Sequence, residues 1–325
     1  MVYGFLALTL LSTPISGGVT VTVGKDRIDF HCGADLAAGY VIDPGQPKPF
    51  FWPLNGPGGT IVTRGWPVVK SQPDEMTDHV HHKSVWFCHG DVIPEGMELK
   101  HKIKGVAGVD FWSETPGHGV IVCTKVDPPE QNGTHARVTT QNEWRTADGE
   151  KVLDETRTIH LVDFGDARLF VVESDLDASV VPITFGDTKE GSFGIRVRKS
   201  VTEQKGKGVL TNAEGKQHER DVWGKVSEWC DYSGPAGDAA AGISLFADPT
   251  NAAATCWHSR AYGLMAANPF GRDKSGFPAV RGRGDLVHLN KGAHLKLRYG
   301  VLLHAGDVKE GKVADYYHKF VELKE

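Results

Sequence analysis

From residue 19 onward the chain reads as short runs in which apolar and polar positions alternate. Val19-Thr20-Val21-Thr22-Val23 alternates strictly, and Arg27 to Cys32 follows the turn residues Gly24-Lys25-Asp26, which predicts an opening hairpin. Residues 100–106, 119–126, 135–145, 151–162 and 167–177 read as further strands, several of them separated by turn dipeptides such as Asn132-Gly133 and Asp148-Gly149. Residues 242–246 and 295–304 have the same character. Residues 43–49 and 199–223 are turn-rich or polar and read as loop or hairpin. Phe50 to Gly59 sets aromatics beside prolines and glycines, which predicts an ordered loop whose aromatics plug the core or offer a platform for the apolar face of a sugar ring. The period changes only at the end. Val313, Tyr316, Tyr317, Phe320 and Leu323 recur at helical spacing, predicting an amphipathic helix from about Lys309 to Glu322. With no alternation of strands and helices, no repeat and no dividing linker, the pattern predicts an all-β fold. It is an antiparallel sandwich, one domain over residues 19–325, closed by a short C-terminal helix.

Composition agrees with many short strands joined by turns: 325 residues include 39 glycines and 17 prolines. A net charge of -5, with Lys and Arg scattered, argues against a nucleic-acid partner. Residues 3–18 form a short apolar run ending in small residues. That is the shape of a secretory leader, too short to span a bilayer, so residues 1–18 are expected to be a signal peptide and the protein periplasmic or extracellular. No other segment is long and apolar enough to span. The five cysteines lack zinc-site spacing; Cys88 and Cys123 read as small buried hydrophobes, and Cys230 and Cys256 as a pair that could bridge in an oxidising compartment. Asn132-Gly133-Thr134 is a glycosylation sequon.

Candidate chemistry is densest in Asp78-His79-Val80-His81-His82-Lys83-Ser84-Val85-Trp86-Phe87-Cys88-His89-Gly90-Asp91. If this run is extended, Ser84, Trp86 and Cys88 share one face and Lys83, Val85, Phe87 and His89 the other. Continued backwards, that parity places His79 and His81 with His89, and His82 with Trp86. In Asp187 to Arg198, Phe193, Ile195 and Val197 would enter the core, leaving Glu190, Ser192, Gly194 and Arg196 on the opposite face with open space between a carboxylate and a guanidinium. Cys256 to Gly271 adds His258, Arg260 and Tyr262 at one parity, either lining a cleft or rimming the core.

The blocks Asp78 to Asp91, Asp187 to Arg196 and Trp257 to Gly271 resemble a bacterial family labelled "methane oxygenase PmoA", over most of the chain after the leader. The strand-rich pattern is similar, at the level of fold, to the galactose-mutarotase-like supersandwich, whose members bind or process sugars over a concave sheet face. What the second resemblance implies is a small-molecule or glycan substrate.

Three functional readings follow. The first is an exported carbohydrate-active enzyme, an epimerase, lyase or glycoside-processing enzyme. It would use His79, His81, His82 or His89 as acid/base groups with Glu190 as carboxylate partner. Lys83, Arg196, His258, Arg260, Asn268 and Trp52 would bind the substrate. The second is a histidine-rich oxygenase or hydrolase with a divalent metal cofactor, the ligands drawn from the histidines with Asp78, Asp91 or Glu190. The third is a sugar-binding module without catalysis, dominated by aromatics such as Trp52 and Trp66. Oligomeric state is not legible in the sequence.

Overall fold

The computed structural model describes residues 17–323, so the expected leader lies outside the described residues but for Gly17 and Gly18. Two large antiparallel sheets carry the architecture. The eight-stranded sheet runs, in spatial order, Val19–Val23, Arg27–Cys32, Asp35–Val41, Phe50–Leu54, Val85–His89, Gly191–Arg196, Leu264–Asn268 and Cys256–Arg260. The nine-stranded sheet runs Val209–Asn212, Trp229–Ala236, Ala239–Ala247, His294–Ala305, Ala167–Asp177, Lys151–Asp163, His135–Arg145 and Val120–Val126, with Glu130–Asn132 paired to His135–Arg145. A three-stranded sheet of Val287–Leu289, Ile183–Phe185 and Val92–Pro94 stands beside them.

Alternation makes the two large sheets a sandwich. Phe87 and Phe193 reach across to Tyr299 at 6.2 and 5.2 Å, and Phe30 and Phe51 meet Phe170 at 5.7 and 5.6 Å. One buried apolar cluster extends from Val19 to Leu303. Inside it Arg157 donates to both oxygens of Glu155 at 2.8 Å and to Tyr40 Oη at 2.7 Å, while Trp144 Nε1 donates to Glu155 at 2.9 Å. A buried polar network of this kind, linking Tyr40 of one sheet to Arg157 and Glu155 of the other, pins how one sheet sits on the other.

A second buried pair lies at the other end of the nine-stranded sheet. His304 Nε2 and Ser244 Oγ both donate to Asp231 Oδ2 at 2.8 Å. Burial alone would push the His304 imidazole down, but the Asp231 charge and hydrogen bond, with the Ala305 carbonyl, hold it above its ordinary value. A raised folded-state pKa contributes stability that is complete below the unfolded value of about 6.5 and disappears as pH rises through the folded one. Urea titrations across that interval are expected to show wild-type stability declining, and the His304→Gln variant to lack the decline.

The C-terminal helix is present as Val313–Glu322 and begins later than expected, because residues 307–311 are tied into a turn around Asp307. Its buried Val313, Tyr316, Tyr317 and Phe320 pack on the outer face of the nine-stranded sheet against Leu169, Val171 and Phe246.

Three expectations are corrected. Phe50–Leu54 is a strand, not a loop; Pro53 is tolerated because the ladder to Asp35–Val41 is irregular between Ala38 and Tyr40, where its missing N–H is not called on. Residues 100–106 are not a strand: Lys100, Lys102 and Lys104 alternate with only one large apolar residue, Ile103, so there is no face to bury, and Lys100 reaches instead to Asp148 and Glu150. Cys230 and Cys256 form no bridge; all five cysteines are free. The 199–223 excursion contains a short strand, Val209–Asn212, and the helix His218–Val222.

Candidate active site

Two neighbouring strands of the eight-stranded sheet make the platform. Since Phe87, Phe193 and Ile195 face the other sheet, Ser84, Trp86, Ser192, Gly194 and Arg196 face outward, as the alternation predicts. Pairing sets Trp86 beside Gly194, then Ala266, then His258 across four strands. A Cβ on Gly194 would lie 2.5 Å from Trp86 Cζ2, so only glycine lets the indole lie across the strand. The room left by glycine is filled by the indole, and Trp86, Ser192, Ala266 and His258 are all buried beneath the chain that crosses them.

Over Trp86 the chain from 76 to 84 does not stay extended. His79 and Ser84 take φ of 47° and 54°, a left-handed region costly to residues with a side chain. What holds it there is Arg64. This fully buried guanidinium donates to the carbonyls of Asp78 at 2.8 Å, His79 at 2.9 Å and His82 at 3.1 Å, and to Asp78 Oδ1 at 2.7 Å. Arg196, equally buried, donates to the same Oδ1 at 2.6 Å and to His82 Nδ1 at 3.2 Å. Burial would raise the Asp78 carboxyl, but the Arg196 hydrogen bond and charge, joined by His79 and Arg64, hold it below its ordinary value. Burial lowers Arg64 to about 10, and Arg196 adds to the effect.

The turn brings three histidines to one place. His82 stacks on Trp86 at 5.1 Å, and His79 stacks on His82 at 4.8 Å and on Tyr262 at 5.0 Å. His81 meets His82 edge-on at 4.4 Å. Burial, then the nearby charge of Lys48, pushes His81 down to about 3; burial, then His81 and Arg196, pushes His82 well below its ordinary value. Both rings are therefore neutral near pH 7, and His82 Nδ1, accepting from Arg196, leaves the proton on Nε2. His79 differs: its Nδ1 lies 3.0 Å from Asp78 Oδ2, a carboxylate contact that fixes how the ring sits.

Facing this group are Glu190, His258 and Arg260. His258 Nδ1 is buried, has no hydrogen-bond partner and stands 3.9 Å from Glu190 Oε2. Burial, followed by the charges of Arg260 and Lys189, lowers His258 to about 3. Burial also raises Glu190, with Asp110 adding to it. Tyr262 joins the two halves: its ring stacks on His79, the Arg196 guanidinium lies over it at 4.5 Å, and burial with the Glu190 charge raises its phenol, Arg196 opposing, to about 12. Asp78, His79 and Glu190 expose 36, 39 and 37 % of their side chains, so an outside molecule can reach all three. Arg260 is braced by Glu219 at 2.9 Å on the rim.

Other predicted residues lie elsewhere or are fully occupied. His89 keeps the parity of Phe87 and lies apart, Nε2 2.9 Å from the Gly186 carbonyl oxygen and its ring against Phe270, lowered by burial to about 4. His79 and His81 fall on the Trp86 side, not with His89, because the turn breaks the assumed extension. Lys83 is buried on Glu114 at 2.8 Å and Gln46 at 3.2 Å. Asn268 is buried with Nδ2 on the Thr188 carbonyl and Oδ1 accepting from Phe270 and Gly271; it positions the loop bearing Glu190. Trp52 is partly buried against the core, close to Gly65. Sequence reading missed Arg64, whose only signal is an arginine in an apolar run, and Lys48, a buried lysine that donates to the Trp112 carbonyl at 3.0 Å and is lowered by burial. Among the described residues no group of three or more His, Cys, Asp or Glu side chains is arranged to hold a metal ion. Nor is any described helix long and apolar enough to cross a membrane.

Fold and site together define an all-β, two-sheet antiparallel protein with a cluster of acid, base and guanidinium groups on the outward face of one sheet. The chain belongs to a family of unknown function (DUF6807), whose model matches residues 27–318. The match is to that family and not to the one labelled methane oxygenase PmoA. No curated protein matches the sequence. Among solved structures, a galactose mutarotase-like protein from Lactobacillus casei ATCC 334 is 10 % identical, covering 88 % of this chain and 100 % of its own, with a TM-score of 0.39. A galactose mutarotase related enzyme from Lactobacillus acidophilus is 8 % identical over 88 % of this chain and 97 % of its own, TM-score 0.36. A GH36 alpha-galactosidase from Geobacillus stearothermophilus is 6 % identical, covering 90 % of this chain and 41 % of its own, TM-score 0.35.

Proposed function

We propose that the protein is an acid–base enzyme acting on a sugar or glycoside at the histidine cluster. The observation that carries this reading is the pairing across Tyr262 of an imidazole oriented by a carboxylate, His79 on Asp78, with a half-exposed carboxyl whose pKa is raised, Glu190. A carboxyl that keeps its proton above the ordinary range, set opposite a carboxylate-oriented imidazole, is what proton transfer to and from one ligand needs. Protonated Glu190 donates to the ring or glycosidic oxygen, and His79 Nε2 accepts a proton from the attacking or ring-closing hydroxyl. The neutral His82 and His258 supply hydrogen bonds without competing for charge. Arg260, on the rim and already paired with Glu219, presents an N–H edge suited to an uncharged hydroxyl rather than to an anionic substrate, while the fully buried Arg196 acts only by holding Asp78 and His82.

The test is a panel of reducing sugars and aryl glycosides followed by NMR with wild type, His79→Gln and Glu190→Gln. Conversion by wild type that is lost in both variants supports the reading; unchanged turnover in both removes these residues from the mechanism. Export, proposed from the leader, rests on the sequence alone and is checked by N-terminal sequencing of secreted material.

A further inference from the structure

The opposite side of the molecule carries a cleft. The outward face of the nine-stranded sheet, where it leaves the C-terminal helix, is hollowed into cavities of about 360 and about 610 Å³ that share Glu173, Arg298 and Leu323 as a common wall. Both volumes fall in the range of small-ligand pockets, roughly 300–1,000 Å³. Register explains the lining. Thr158 lies beside Glu173, and Glu173 beside Arg298; one step along, Thr156 lies beside Asp175, and Asp175 beside Lys296. Such rows turn donors and acceptors toward the cleft from one strand after another.

We propose that this cleft binds an uncharged saccharide longer than a single sugar unit. Charge decides against an ionic ligand. Arg298 donates to Glu173 at 2.9 Å and to Asp248 at 2.7 Å, and Arg137 is paired with Glu130 at 2.9 Å, so an ionic guest at the shared wall would have to break ion pairs, and the exposed Lys296 has Asp175 beside it at 3.9 Å. Hydroxyls, which donate and accept, need not. His135 and His160 stack at 5.3 Å with Nε2 and Nδ1 3.1 Å apart; with His135 as donor, His160 carries its proton on Nε2. That Nε2 has no hydrogen-bond partner and stops 3.8 Å short of Glu173 Oε2, so a small turn of the His160 ring toward the cleft offers an unmet donor beside an acceptor. Val162, Val171 and Leu323 supply apolar surface for the C–H face of a pyranose. Two cavities with a shared wall accommodate consecutive units of one chain.

The inference does not depend on the reading of the histidine cluster. Isothermal titration of the full chain with glucose, xylose and N-acetylglucosamine, and with cellotriose, maltotriose, xylotriose and tri-N-acetylchitotriose, tests it. At least one trisaccharide is expected to bind at least tenfold more tightly than its monosaccharide. Leu323→Trp, which fills the cleft from an exposed position, and His160→Phe are each expected to weaken that binding at least tenfold while circular dichroism stays unchanged. Absence of binding by every trisaccharide overturns the proposal. So does binding that neither variant alters, which would assign the sugar to the other face and leave the reading of that face intact.

Discussion

Asp78→Ala is expected to lower the unfolding free energy by about 3 kcal/mol, at the lower end of the range for breaking a buried ion pair because Asp78 itself is partly exposed. The cost arises on its partners. Arg64 and Arg196 are fully buried, both donate to Asp78 Oδ1, and without the carboxylate two guanidiniums face each other with no counter-charge. Replacing Arg196 by Met as well removes one of the stranded charges, so the double variant is expected to lose less than the sum of the single losses. Urea unfolding of the four proteins measures this, and strict additivity would show that Asp78 and Arg196 are not coupled. Because Arg64 also holds the backbone of His79 and His82, the same loss is expected to blur the histidine cluster itself.

Glu190→Gln is expected to reduce kcat on a converted substrate by about 10²- to 10⁴-fold, the usual span for a positioned proton donor. Its pH dependence is the sharper signature. Burial raises the Glu190 carboxyl, so the donating form persists above the ordinary carboxylate range and is lost as pH climbs through the raised value. Wild-type kcat is expected to fall along that limb, and the glutamine variant, which has nothing to titrate there, to be flat across it. A limb that survives in Glu190→Gln would assign the acid to another group. The side chain is isosteric and partly exposed, so folding is expected to be preserved and the rate effect is separable from stability.

The platform was legible because it depends on alternation alone. Outward Trp86, Ser192, Gly194 and Arg196 follow from a period of two once Phe87 and Phe193 are recognised as core, and the long strands of the nine-stranded sheet follow from the same rule. The placement of His79 and His81 was not legible. Extending the strand parity back through them assumed a regular backbone, whereas the left-handed φ at His79 and at Ser84 re-aims both rings toward Trp86. That conformation is stabilised by Arg64, a residue distant along the chain whose hydrogen bonds leave no local trace.

Local pattern, then, determined what each segment is: which residues pair as strands, which face is apolar, that a helix closes the chain, and that ionisable groups gather in a few blocks. Tertiary structure alone decided which of those groups meet, since Arg64, His79, Tyr262 and the block from Glu190 to Arg196 come from separate stretches brought together by pairing across the sheet and by the turn over it. It also decided their protonation. Burial and neighbouring charge, which leave the imidazoles of His81, His82 and His258 neutral and the Glu190 carboxyl raised, are properties of the assembled surroundings and not of any side chain taken by itself.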